Sequence, residues 1–180
     1  MTVNKHRILT VLRCLIPLLL TLLWLVFIYG NSLKTGEQSS EQSGKVHEVV
    51  NDVAQSVGIE KPISEKAVRK SAHFLEFAVL GALVSFDLWA FRVVSSKKKI
   101  YISSLLSLCA IPICAILASV DELLQKTSEG RGPSVIDVLI DTSGAATATL
   151  LFIAAFAVFS LIKRKVRAKK EEKTASVLDK

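Results

Sequence analysis

Four apolar blocks, each long enough to span a bilayer as a helix, leave this chain few ways to fold. They run over 8–29, 72–94, 100–120 and 142–162. A hydrocarbon core of ~30 Å takes about 20 apolar helical residues. A helix also satisfies its own backbone N–H and C=O groups where no water can. The first block is interrupted only by Arg13, and Ile100 to Val120 carries no charge at all. The second holds charges at both ends and one inside, and the fourth helix should start earlier than its block, near Pro133. Hydrophobic residues make up 51% of the chain and are concentrated in these blocks. The expected fold class is therefore all-α integral membrane, with four transmembrane helices and no second globular domain.

Lys5, His6 and Arg7 precede the first block as they would in a signal peptide. The apolar stretch is longer than a typical signal core, however, and no small-residue cleavage pattern follows Tyr29. The first helix is expected to be retained. The net charge of +7 does not point to nucleic acid, because of where the cations fall. Lys5, Arg7 and Arg13 open the first helix, and Arg92, Lys97, Lys98 and Lys99 lie between the second and third. Seven more, from Lys163 to Lys173, follow the fourth. All three clusters lie on one side of a four-helix topology, and short loops rich in Lys and Arg stay in the cytoplasm. The expected topology is N-in/C-in. It divides the chain into 1–30 (cytoplasmic start and first helix), 31–70 (outer loop), 71–162 (helices two to four) and 163–180 (a solvated, partly disordered basic tail near anionic lipid). Cys14, Cys109 and Cys114 all fall within spans, with no metal-binding spacing, and read as small packing residues.

The outer loop opens with a polar run over 31–44 that reads as flexible. Val46, Val49, Val50, Val53 and Val57 then recur at helical spacing, and Gly58 ends the pattern. This is a short amphipathic helix, able either to lie on the outer leaflet or to roof the bundle. Ser64 is placed to cap helix two, which would carry Lys70, His73 and Glu76 inward on successive turns.

The remaining polar residues converge at one depth. Helix three leaves toward the outside with Asp121, Glu122 and Gln125, and helix four enters with Asp137 and Asp141. The short link makes these two helices antiparallel neighbours. At ~1.5 Å per residue, Gln125 and Asp137 share one level, and Asp121 and Asp141 share the next one in. A charge at a helix centre costs ~2.5–3.5 kcal/mol to insert, so this layer needs a reason.

Plainer readings stand beside the functional one. Ser134 and Asp137 match a capping box after Pro133. Asp121 and Glu122 are helix-end acids if the helix stops there, although Leu123 and Leu124 continue the apolar pattern. Glu76 has a structural partner if Arg131 or Lys70 reaches it. His73 and Asp141 read as an interface histidine and an interhelical hydrogen bond. Asp87, in the inner half, is expected to pair with an inner-loop lysine or to snorkel. On helix four, Ser143, Gly144, Thr147 and Ala148 offer a small-residue face for close packing in lipid.

"KSAHFLEFAVLGALV" and "ASVDELLQKTSEGRGPSVIDVLIDTSGA", with "YGNSLKTGEQSSEQS" in the first loop, resemble the VanZ-like family of bacterial membrane proteins. The likeness rests on Lys70, His73 and Glu76 entering one helix and on Asp121, Glu122 and Gln125 ending the next. The Gly130-Arg131 turn and Asp137 and Asp141 in the last helix complete it. Residue 31 is Asn where many relatives have Ser, and the basic tail lies outside the pattern. The resemblance implies a multi-pass protein of the bacterial plasma membrane. The family's founding member is associated with low-level resistance to the glycopeptide teicoplanin. It implies no agreed reaction.

The chemistry open to these residues is acid/base work on a lipid-linked or cell-wall substrate, with His73, Glu76, Asp121 and Glu122 as catalytic candidates. Lys70, Gln125, Arg131, Asp137 and Asp141 are candidates for holding the substrate, Arg131 by an anionic group. His73 with Glu76, Asp121 and Glu122 also offers nitrogen and oxygen ligands for a divalent ion. A His-x-x-Glu without a second histidine does not establish one, and no cofactor is assigned. A non-enzymatic binder of envelope lipid, antibiotic or protein remains an alternative. An ion pathway would need inner polar groups, and only Asp87 is there. Oligomeric state is not fixed by the sequence.

Overall fold

The computed structural model describes residues 5–59, 61–95 and 105–178. These are helical, with no strand among the described residues: α1 (Lys5–Ser32), α2 (Gly36–Ser56), α3 (Glu65–Ser95), a 3-10 turn (Leu106–Cys109), α4 (Ala110–Gln125) and α5 (Val135–Leu178). Four stretches are long and apolar enough to cross a bilayer: Val11–Ser32, Glu65–Phe91, Leu106–Gln125 and Val135–Lys169. The expected four-helix membrane architecture is present. Each of these helices runs further toward the α2 end than its apolar block does. That extension draws Lys70, Asp121, Gln125, Asp137 and Asp141 into regular helix.

The bundle is built for lipid. Its interior is Ile28, Phe77, Leu80, Val84, Ala110, Cys114, Ala118 and Ala145, with Trp24, Tyr29 and Leu117 packed at its edge. Leu15, Leu19 and Leu23 on α1 and Leu151, Val158 and Leu161 on α5 are exposed, as lipid-facing residues should be. Interhelical hydrogen bonds add to the packing: Trp24 Nε1 donates to Glu76 O at 2.9 Å, and Ser85 Oγ to Thr149 Oγ1 at 3.0 Å. Such bonds are worth ~0.6 kcal/mol on average in a membrane.

α3 is the central helix, and its closest partner is α5. A Cβ on Gly144 would collide with the carbonyl oxygen of Phe74, and one on Gly81 would lie 2.6 Å from the Ala145 Cα. The small-residue face is thus real but rotated from the sequence expectation. Asp141, Gly144, Ala145 and Thr149 face inward, while Ser143 and Thr147 are exposed and donate to Ile140 O and Ser143 O of their own helix.

Other differences have local causes. The polar run after Ser32 is helical from Gly36, not a flexible loop, because Thr35 and Gln38 form a capping box and Glu41 pairs with Lys45 at 2.9 Å. α2 ends as expected. Gly58 has φ +87°, Ile59 N donates to Ala54 O and Gly58 N to Gln55 O, a Schellman motif. Ser64 caps α3 through Ala67 N at 3.3 Å. The third span opens on the 3-10 turn, since Pro112 has no N–H for the Leu108 carbonyl and belongs in the first turn of α4. The basic tail continues α5 through Leu178 and is not disordered there. It holds no Gly or Pro and is rich in good helix formers. Asp87 meets Thr21 Oγ1 at 2.6 Å. Of the cations behind the orientation, Lys97, Lys98, Lys99 and the side chains of Lys5, Arg7, Arg92, Lys170 and Lys173 lie outside the described residues.

α2 is held against the end of the bundle. Gly36 N donates to Glu129 O at 2.8 Å, Ser43 Oγ to Glu65 Oε1 at 2.8 Å, and Ile63 N to Asn51 Oδ1 at 2.8 Å. Val49, Val53 and Val57 are left exposed on its other side.

Gly144→Ala should lower thermal stability in detergent by about 1–3 kcal/mol, because the obstacle is backbone and cannot rotate away. Gly30→Ala, with nothing within 4 Å of the new methyl, should be neutral. Equal effects would contradict the α3–α5 contact.

Candidate functional site

The close contact of α3 and α5 sets the geometry of the polar layer. Phe74 and Gly144 touch, so His73 and Asp141, one residue and three residues away, face each other. His73 Nδ1 lies 3.7 Å from Asp141 Oδ1. Asp121 of α4 completes the group: one ligand-type atom from each of the three residues lies within 4.8 Å of the others. Asp121 and Asp141 are fully buried.

The two aspartates are held differently. Asp121 Oδ1 accepts from Ser32 Oγ at 2.6 Å, and Oδ2 from Gln125 Nε2 at 2.9 Å. Asp141 has no hydrogen-bond donor on either oxygen, and His73 Nδ1 is likewise buried without a partner. At 3.7 Å the histidine is beyond hydrogen-bond reach.

Glu122, next to Asp121 in sequence, is turned ~100° around the helix by the 3.6-residue period. Its Oε2 accepts from Ser134 N at 2.7 Å. In a capping box the residue at Asp137 would fill that role. Here Ser134 Oγ still accepts from Asp137 N at 3.3 Å, but the Asp137 carboxylate is committed to Lys70 Nζ at 2.6 Å. The reciprocal half of the cap is supplied by the neighbouring helix, and Glu122 thereby fastens the α4–α5 turn.

Arg131 lies on that turn. Its Nη1 donates to Asn31 O at 3.3 Å and Ser32 O at 3.2 Å, at the end of α1 where the helix dipole is negative. Burial and then Arg69 lower its pKa from the ordinary value, against the pull of Asp121, Glu122 and Asp137. A guanidinium stays charged regardless, so Arg131 is a fixed cation beside the acids. Glu76 meets neither Arg131 nor Lys70. Its Oε1 accepts from Asn31 Nδ2 at 3.3 Å.

Two cavities reach the layer. One of about 420 Å³ lies between α3 and α5, with Lys66, Arg69 and Lys70 on its wall and His73, Gln125 and Asp141 among its lining residues. A second of about 100 Å³ lies under α2, lined by Asn31, Ser43, His73, Glu76 and Arg131 among others. Of the nine residues singled out in the sequence, His73, Asp121 and Asp141 form one cluster, and Gln125 is bonded to it. Lys70 and Asp137 pair beside it, Glu76 lies in the second cavity, and Glu122 and Arg131 brace the turns. Sequence reasoning gave no role to Ser32 or Arg69. The signal for Ser32 was a polar pair, Asn31-Ser32, directly ending an apolar span. That for Arg69 was its place one turn before His73.

Glu122→Leu should destabilise the protein by about 1–3 kcal/mol, since it strips the acceptor from a partly buried N–H. Glu122→Gln keeps an acceptor and should cost less. Thermal unfolding in detergent checks the order, and a leucine variant as stable as wild type would remove the bracing role.

Searches of curated proteins and of solved structures found no match. A family model does match. It covers residues 17–159 and so takes in Ser32, His73, Asp121, Asp141 and every other site residue named above, and this chain belongs to the VanZ/LLP1 family.

Proposed function

We propose that this protein acts at the bacterial cell envelope from the plasma membrane. Its polar cluster would face outward and engage an anionic group of a lipid-linked or cell-wall substrate. The observation that carries the reading is the cavity: Lys66 and Arg69 are on its wall, beside Glu65 and the Lys70–Asp137 pair, and it is also lined by His73 and by Asp141, a fully buried carboxylate with no donor. Those cations suit a phosphate or carboxylate. The half-buried histidine and the buried acids are placed to bind the group or to move a proton on it. Family membership supports a contribution to teicoplanin tolerance.

An ion pathway gains no support. Asp87 is bonded to Thr21, and between it and Glu76 α3 buries Phe77, Leu80 and Val84, with the buried Ser85 hydroxyl taken up by Thr149.

The outward orientation has its own test. Ser40→Cys on α2 should be labelled by a membrane-impermeant maleimide in intact cells, and Ala168→Cys only after permeabilisation. The reverse pattern would turn the site toward the cytoplasm and end the envelope reading. For function, a strain lacking the protein is complemented with wild type, Asp121→Asn, Asp141→Asn or Asp87→Asn at matched membrane abundance. Wild type and Asp87→Asn should restore teicoplanin tolerance, and the other two should not. Restoration by all four would make the cluster structural, and failure of wild type would remove the teicoplanin role.

A further inference from the structure

We propose that His73, Asp121 and Asp141 bind one divalent first-row transition cation. The ligands come from α3, α4 and α5, and their atoms lie within 4.8 Å of one another. Tetrahedral ligands about 2.1 Å from an ion are about 3.4 Å apart. The His73 Nδ1 to Asp141 Oδ1 distance of 3.7 Å is already near that. Side-chain rotation supplies the rest.

The second observation is independent of the cluster's composition. Asp141 is fully buried: its relative accessibility is 0%, and both oxygens lack a hydrogen-bond donor. The buried His73 Nδ1 lacks a partner too. Burying a carboxylate unanswered is expensive. An ion pair with His73 would leave Asp141 Oδ2 unsatisfied, whereas a divalent ion at the centre answers the histidine and the carboxylate together.

Asp121 is prepared in another way. Ser32 and Gln125 donate one bond to each of its oxygens, which leaves a lone pair on each and fixes the carboxylate's orientation. Bonds of this kind around a metal ligand orient it and raise affinity. One imidazole and two carboxylates, with no thiolate, suit manganese, iron(II) or zinc better than soft ions. Three protein ligands leave positions open. His73 and Asp141 line the 420 Å³ cavity, so those positions face it. An anionic headgroup held by Lys66 and Arg69 would reach the ion with an oxygen.

The assignment rests on the cluster being the functional site, but its test reads metal directly. Full-length protein is purified in detergent and treated with chelator. It is then titrated with manganese(II), followed by electron paramagnetic resonance, and with zinc(II), followed by metal content after desalting. Wild type should bind one of these ions in equimolar amount. Asp141→Asn and His73→Gln should lose it, and Asp87→Asn should keep it. Ser32→Ala, which only frees Asp121, should weaken binding by about tenfold. The ion should also raise the unfolding temperature of wild type.

No equimolar binding of either ion by wild type overturns the proposal, as does equal binding by His73→Gln and wild type. If Asp141→Asn does not fold, His73→Gln and the wild-type temperature shift decide alone, and the absence of a shift counts against the site. Metal binding without any effect on teicoplanin tolerance would end the functional reading and leave the metal site standing. The opposite pair of results would end the metal site and leave the function.

Discussion

The contact between Gly144 and the Phe74 carbonyl governs how the polar layer is assembled. In lipid there is little hydrophobic drive for helices to meet, so packing and polar bonds must do it. Glycine at 144 lets α5 approach the backbone of α3 more closely than any other residue would allow. The approach seats Asp141 opposite His73, and the short turn after Gln125 brings Asp121 to the same level. One missing Cβ thus sets two ionisable groups face to face, and the turn adds the third.

Around that contact, each helix end is tied to a different helix. Ser32 at the end of α1 donates to Asp121 on α4, and Arg131 on the α4–α5 turn donates back to the carbonyls of Asn31 and Ser32. Glu122 on α4 accepts from Ser134 ahead of α5. Lys70 on α3 pairs with Asp137 on α5. These bonds satisfy helix-terminal groups that would otherwise face the membrane boundary unpartnered. They also use up most of the charged residues, which separates the acids that brace from the acid that does not.

Span number, the helix caps at Ser64 and Ser134, and the depth of the polar layer were legible from period and spacing. Depth follows from ~1.5 Å per residue and needs no tertiary knowledge. Rotation about the helix axis was not legible to the same degree. Asp121 and Glu122 are adjacent, and only the positions of α1 and α5 decide that one turns inward and the other toward the turn. Likewise Ser143 and Thr147 looked like part of the packing face, but whether Gly144 or Ser143 meets α3 depends on a rotation that the small-residue pattern leaves open. The helicity of 36–44 was hidden because Ser, Gln and Gly are weak signals, although Thr35-x-x-Gln38 was there to be read as a cap.

Asp141 poses the sharpest question about selection. A buried carboxylate with no donor lowers stability, and an apolar residue of similar size would be expected to hold the bundle together at least as well. Its neighbours show that this end of the bundle can satisfy acids when it needs to. Asp121 has a donor on each oxygen, Asp137 has Lys70, and one oxygen of Glu122 has a backbone N–H. Single atoms of His73, Glu122 and Arg131 are also unpartnered, but Asp141 is the acid with neither oxygen bonded, and such failures of local consistency concentrate at functional sites because there the cost is met by something outside the fold. For Asp141 that something must carry positive charge or a proton and must reach it between α3 and α5, where the 420 Å³ cavity already leads.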